Sequence, residues 1–116
     1  MTQHDETVYL ARMLEMAREA LAMSSGRSFD DLHENRMFQF AVAHAIELIG
    51  EAAHNVSSAT KAELSDIPWN QIVGMRNRIV HNYWEIKLDR VWDVIVNDLK
   101  PLIAALERVV PAEPPE

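Results

Sequence analysis

Ile67-Pro68-Trp69-Asn70-Gln71-Ile72-Val73-Gly74-Met75-Arg76-Asn77-Arg78-Ile79-Val80-His81-Asn82-Tyr83 is the stretch on which the reading of this chain turns. Ile67-Pro68-Trp69 predicts a sharp helix start, with Asp66 as cap and Pro68 in the first turn, where a missing N–H does no harm. Apolar residues then recur at helical spacing, which predicts a helix ending near Tyr83. Each helical residue advances about 100°. With Arg76 as origin, Trp69, Ile72, Val73, Ile79, Val80 and Tyr83 fall within about 60° of it, so Arg76 is expected in the middle of the apolar face. A charge there is costly unless it is paired or used. Residue type favours an Arg lying over the core with its head on a carboxylate such as Glu47 or Glu51.

His81 falls about 140° from Arg76, on a strip with Asn70, Gly74 and Asn77. A lone helical His is more often solvated or hydrogen-bonded than catalytic. On one ideal helix Arg76 and His81 point too far apart to grip one phosphate. Three arrangements would resolve this. The helix is irregular near Gly74; or the Arg of one chain works beside the His of another across a two-fold axis; or Arg78, about 60° from His81, is the working cation. Asn77 and Arg78 are the helical neighbours of His81. From position alone Tyr83 is a core or interface aromatic.

Outward from this stretch the pattern is helical almost throughout. Val8, Leu10, Ala11, Leu14, Ala17 and Leu21 predict a first helix from Asp5 to about Met23. Ser24-Ser25-Gly26-Arg27-Ser28 is a loop, and Ser28 with Asp31 forms a weak capping box. A second helix is predicted from about Asn35 to Val56, its stripe being Val42, Ala45, Ile46, Ile49, Ala53 and Val56. Ser57 to Ile67 is a connection with room for a helical turn. Asp89 is expected to cap a fourth helix through Val91, Trp92, Ile95 and Leu99. Pro101 should kink it or break it into a fifth helix reaching about Val109. No repeat or strand-like alternation is present. The expected fold is all-α, an up-and-down bundle of four to five helices over residues 1–110, followed by a disordered acidic tail at 111–116.

A chain of 116 residues makes one domain, and its composition of 48% hydrophobic and 25% charged residues is that of a globular protein. Without cysteine it has no disulfide framework and no thiolate metal site. No apolar run is long enough to span a membrane, and Met1-Thr2-Gln3-His4-Asp5-Glu6 does not read as a signal peptide, so a cytoplasmic protein with no membrane partner is expected. The net charge of −7 repels nucleic acid on average. Between Pro68 and Arg90, however, Arg76, Arg78, Lys87 and Arg90 stand against only Glu85 and Asp89. The motif therefore lies in the one segment that tolerates a polyanion.

A second polar cluster, His44, Glu47, Glu51 and His54, lies on one helix face within about 80°. Its donor types would suit zinc or manganese. Glu51-x-x-His54 is the only paired-helix metal signature, so a solvated face is the favoured reading and no metal or cofactor is expected. Glu47 or Glu51 could instead orient the motif helix.

These blocks together resemble the HEPN-domain proteins of the HepT type, the toxin half of HepT/MNT toxin–antitoxin pairs. Ile46-Glu47-Leu48-Ile49-Gly50-Glu51-Ala52-Ala53 looks like the family's I-G-E-A helix. Ile67-Pro68-Trp69 followed by Met75 to Tyr83 looks like its I-P-W…R-N-x-x-x-H-x-Y block, and Val91-Trp92-Asp93 with Asp98-Leu99-Lys100-Pro101-Leu102 resembles its closing helix. His44 and Lys100 depart from the pattern without touching the motif. The resemblance implies a homodimeric, all-helical, metal-independent endoribonuclease of a type VII toxin–antitoxin system, acting on transfer or messenger RNA, with the motifs of two subunits lining a shared cleft. It implies Arg76 and His81 as the catalytic pair with Asn77 in support; Arg78, Glu47 and Glu51 are the further supporting candidates that the residues themselves offer. Tyr83 would be the acceptor of AMP from a partner nucleotidyltransferase antitoxin. The alternative is a non-catalytic dimeric HEPN module that binds a nucleotidyltransferase or a nucleotide without cutting RNA.

Overall fold

The structure is a computed structural model and describes residues 3–82 and 85–111; the side chains of residues 3–5, 81 and 82 lie outside that description. Three long segments form the body: α1 (Gln3–Ser24), α3 (Arg36–His54) and α8 (Leu99–Glu107), with α1 packed against both others. The predicted stripe of α3 is buried at every position, Val42, Ala45, Ile46, Ile49, Ala53 and Val56. On α1 the stripe is displaced: Met13 is fully buried, whereas Val8 remains 42% exposed.

Local chemistry sets the boundaries. Gly26, at φ 75°, ends the first helix in a conformation that residues with a Cβ rarely adopt. Ser28 and Asp31 form a full reciprocal capping box for α2 (Phe29–Glu34): the Asp31 N–H donates to Ser28 Oγ at 3.2 Å and the Ser28 N–H to Asp31 Oδ2 at 2.8 Å. Asn35 caps α3 through Oδ1, which accepts from the Phe38 N–H at 3.0 Å. The expected turn in the following connection is α4 (Ser58–Glu63), capped by Ser57 and tied to α1 by Glu6. Glu6 accepts from the Ser57 N–H and from the Thr60 hydroxyl. Those hydrogen bonds, that of Thr60 foremost, hold its carboxyl below the usual carboxylate range.

Several expectations are corrected. Asp66 does not cap the motif helix; Pro68 occupies the cap position with no side-chain hydrogen bond. At φ −78° and ψ 75° it forms an inverse γ-turn, closed by the Trp69 N–H donating to the Ile67 carbonyl at 2.8 Å. The predicted single helix to Tyr83 is two short ones, α5 (Trp69–Val73) and α6 (Met75–Ile79), dislocated at Gly74. Val80–Asn82 then leaves helical geometry as strand β1 and pairs antiparallel with β2 (Glu85–Ile86), Val80 opposite Ile86. The Lys87 N–H donates to the Ile79 carbonyl at 2.7 Å. The β-branched pair Ile79-Val80 favours this exit, since such residues lose side-chain freedom in a helix and fit a pleated ladder.

Asp89 is likewise not the cap of the next helix. α7 (Leu88–Asp93) begins one residue earlier, with Asp89 inside its first turn. Pro101 neither breaks the chain nor leaves it regular. A π turn at Val94–Asp98 joins α7 to α8, with the Leu99 N–H donating to the Val94 carbonyl five residues back. A π turn is the expected accommodation where a proline removes a donor from the ladder. The expected all-α class holds, with one short ladder among the described residues and several of the helices short.

Candidate functional site

Gly50 of α3 decides where the motif sits. A Cβ there would lie 3.1 Å from the Ile72 carbonyl oxygen, tighter than most side chains sit, so glycine lets the α5–α6 junction approach without shifting its backbone. Trp69, Ile72, Met75 and Ile79 face inward, Ile72, Met75 and Ile79 being essentially sealed from solvent. The Trp69 indole N–H donates to the Leu64 carbonyl at 3.0 Å, fixing the ring at the helix start.

The inward stripe centres between Ile72 and Met75, which moves Arg76 from the expected middle of the apolar face to its edge. Arg76 is exposed, its side chain 64% accessible, and its Nε donates to Glu47 Oε2 on α3 at 3.0 Å. The expected carboxylate partner is thus Glu47 and not Glu51. Arg78 takes the opposite edge, where Nη1 meets Asp98 Oδ2 at 3.2 Å with both side chains largely covered. The two motif arginines are therefore separated, one tied to α3 and one to the π turn. Exposed pairs contribute about 0–1 kcal/mol, whereas breaking a covered pair costs more because it strands a desolvated charge.

Asn77 is exposed on α6. The backbone of His81 lies in β1, so the 140° separation from Arg76 falls away with the helical geometry on which it rested. The His81 side chain and the whole of Tyr83 lie outside the described residues. On α3, His44, Glu51 and His54 are exposed and only Glu47 is engaged in an ion pair, consistent with a solvated face. Among the described residues no group of His, Asp and Glu could hold a metal ion. Nor, among them, is any helix long and apolar enough to cross a membrane.

Two contributors were not singled out from sequence. Asp98 could not be placed opposite Arg78 by helical arithmetic, because the π turn shifts its phase. Gly50 carried a usable signal, a glycine inside an otherwise strong helix, which marks a close approach. A groove of about 360 Å³ opens beside the Arg78–Asp98 pair, lined by Asp66, Gln71, Met75, Asn97, Asp98 and Arg108 among others. Its carboxylates make it a poor seat for a phosphate.

The Ribonuclease HepT-like family model matches residues 13–109. A relative from Methanocaldococcus jannaschii, named as a candidate RNase, is 27% identical over 94% of this chain and its own full length. One from Caldanaerobacter subterraneus subsp. tengcongensis, named likewise, is 26% identical over 90% of this chain and 94% of its own. A protein of Thermococcus cleftensis, named a probable ribonuclease HepT, is 31% identical over 70% of this chain and 74% of its own. No solved structure matches the chain. With the all-α fold and a family match spanning most of its length, the chain belongs to the HepT-like ribonuclease family.

Proposed function

We propose that the chain is a metal-independent endoribonuclease in which Arg76 holds the scissile phosphate and His81 moves the proton. The observation that carries this reading is the setting of Arg76: an exposed guanidinium at the edge of the fold, held by Nε alone through a pair of small energetic worth. Its terminal nitrogens are the donors that would stabilise a phosphorane, and giving up Glu47 for phosphate costs little. Arg78, largely covered on Asp98, is the weaker candidate.

RNA supplies its own nucleophile. The 2′-hydroxyl oxygen bonds to phosphorus, the bond from phosphorus to the 5′-oxygen breaks, and the products are a 2′,3′-cyclic phosphate and a 5′-hydroxyl. His81 takes the 2′ proton or delivers one to the leaving 5′-oxygen, a role typically worth about 10²–10⁴-fold. Asn77 and Glu47 support the site, with Glu47 holding Arg76 at rest; Glu51, one turn on, adds negative charge beside it. The active form is a homodimer, with RNA (transfer or messenger) as substrate and the cytoplasm as its place of action. It is the toxin of a type VII toxin–antitoxin pair, neutralised when a partner nucleotidyltransferase transfers AMP to Tyr83. That would place a bulky anion two residues from His81, where it would repel and obstruct RNA.

The test is expression of the chain alone and as His81→Ala, followed by growth measurement and end-group analysis of RNA. Toxicity, cyclic phosphate ends and indifference to EDTA are expected of the wild type, and all toxicity should vanish in the variant. Equal toxicity of both proteins removes His81 from the mechanism. RNA left intact by the wild type favours the non-catalytic dimeric module, the reading toward which the net charge of −7 points.

A further inference from the structure

Phe40 lies on the solvent side of α3, the helix that carries much of the core, and is 51% exposed; Met37, three residues before it, is 82% exposed. Residues three apart on a helix are neighbours, so the two make one apolar ledge and not two scattered side chains. The ledge carries a cation. The Arg36 guanidinium lies over the Phe40 ring, 4.7 Å from its centroid, and among the described residues Arg36 forms no ion pair. One face of the ring is thus covered by a planar cation, and the rest stays open.

This ledge is in line with the candidate site. Taking Phe40 as origin, His44 falls about 40° and Glu47 about 20° from it at 100° per residue, so the three share one line along the helix. Glu47 is the residue that holds Arg76, at 3.0 Å. At 1.5 Å per residue, Phe40 stands about 10 Å from Glu47 along that line. A single strand rising about 3.4 Å per stacked nucleotide covers this in about three steps.

Charge decides which part of a strand the ledge can take. The open cleft beside Arg36, of about 400 Å³, is lined by Arg27 and Arg36 but also by Asp31 and Glu34. Two carboxylates against two cations give a phosphate no net attraction there. A nucleobase is uncharged, and both an open aromatic ring and the outer plane of a guanidinium are stacking surfaces for it. The net charge of −7 adds to the argument, because a chain that repels RNA on average has to gain affinity from uncharged contacts.

We propose that Phe40, with Arg36 over it, is a stacking platform for a base of single-stranded RNA, about three nucleotides from the phosphate held by Arg76. The place of that phosphate rests on the ribonuclease reading; the binding of a base at Phe40 does not require cleavage. Such a platform tolerates any base, since each has a π face, and it disfavours a duplex, whose bases are already stacked and paired.

The test is binding of a mixed-sequence single strand of about ten nucleotides, 2′-O-methylated so that it cannot be cut, followed by fluorescence anisotropy. Cleavage of the unmodified strand and the mass of the protein in solution are measured beside it. Phe40→Ala is expected to weaken binding by about tenfold, the scale of one lost stack, and to raise KM with kcat nearly unchanged. Phe40→Trp should bind at least as tightly as the wild type, whereas Phe40→Leu, apolar but without a π face, should stay weak. The salt slope should be the same in all four proteins, since no phosphate contact is removed. Equal binding by the wild type and Phe40→Ala overturns the platform, and so does a Phe40→Leu protein that binds like the wild type. A Phe40→Ala protein with an altered mass also overturns it, and assigns the ledge to contact with a second copy of the chain. RNA cut by the wild type with binding indifferent to Phe40 removes the platform and leaves the ribonuclease reading. RNA bound in the expected pattern but left intact sinks the ribonuclease reading and leaves the platform standing.

Discussion

At the scale of single residues, two carboxylates do opposite things for this protein. Glu47 holds an exposed arginine by one hydrogen bond, so Glu47→Gln should change unfolding free energy by no more than about 1 kcal/mol in chemical denaturation. RNA cleavage should be kept or rise, because phosphate has to displace Glu47 from Arg76 in any case. A large loss of stability would make the pair structural instead. Glu6 ties α1 to α4 and carries a lowered pKa, caused first by the Thr60 hydroxyl and then by Ser57. The sign follows from the lowered value. Its stabilisation is complete above the ordinary carboxylate pKa and is lost as pH falls through the folded-state pKa. The melting-temperature difference between wild type and Glu6→Gln should therefore be largest near neutrality and shrink on acidification. A difference that grows toward low pH would contradict the assignment.

At the scale of elements, the motif is positioned by a glycine and by the end of a helix. Gly50→Ala sets a Cβ against the Ile72 carbonyl, a backbone atom that cannot rotate away. Overpacking of this kind costs about 1–3 kcal/mol, and the displaced α5–α6 junction should lower cleavage in the protein that remains folded. Ile79 is fully buried where α6 gives way to β1. Ile79→Ala should cost about 2–5 kcal/mol by equilibrium denaturation, and a value below 1 would mean that the exit is not packed as described. The helical stripe of α3 was legible residue by residue because its period is unbroken. The motif helix was not. Its apolar residues fit a helix through Tyr83, whereas Val80 leaves the helix and pairs with Ile86, a contact that apolar spacing does not encode. Pro101 announced an irregularity, but whether a proline yields a break or a π turn depends on what the neighbouring helices hold in place.

At the scale of the whole molecule, the net charge of −7 limits how RNA can be held. A substrate gripped by Arg76 from each of two copies should show a log–log salt slope of only about −1.4, at roughly −0.7 per phosphate on single-stranded RNA. A much steeper slope in a binding titration would require a broad basic surface that the sequence does not contain. By itself the sequence determined the all-α class, the α3 stripe, the capping box at Ser28 and the family, because these rest on local periodicity, local hydrogen bonding and linked blocks of residues. Only the tertiary structure decided that Arg76 lies on an edge paired with Glu47, that Arg78 is spent on Asp98, and that His81 leaves the helix. Each of those depends on contacts between residues far apart in the chain, or on a dislocation at Gly74 and a π turn that shift helical phase, and no arithmetic on one ideal helix contains them.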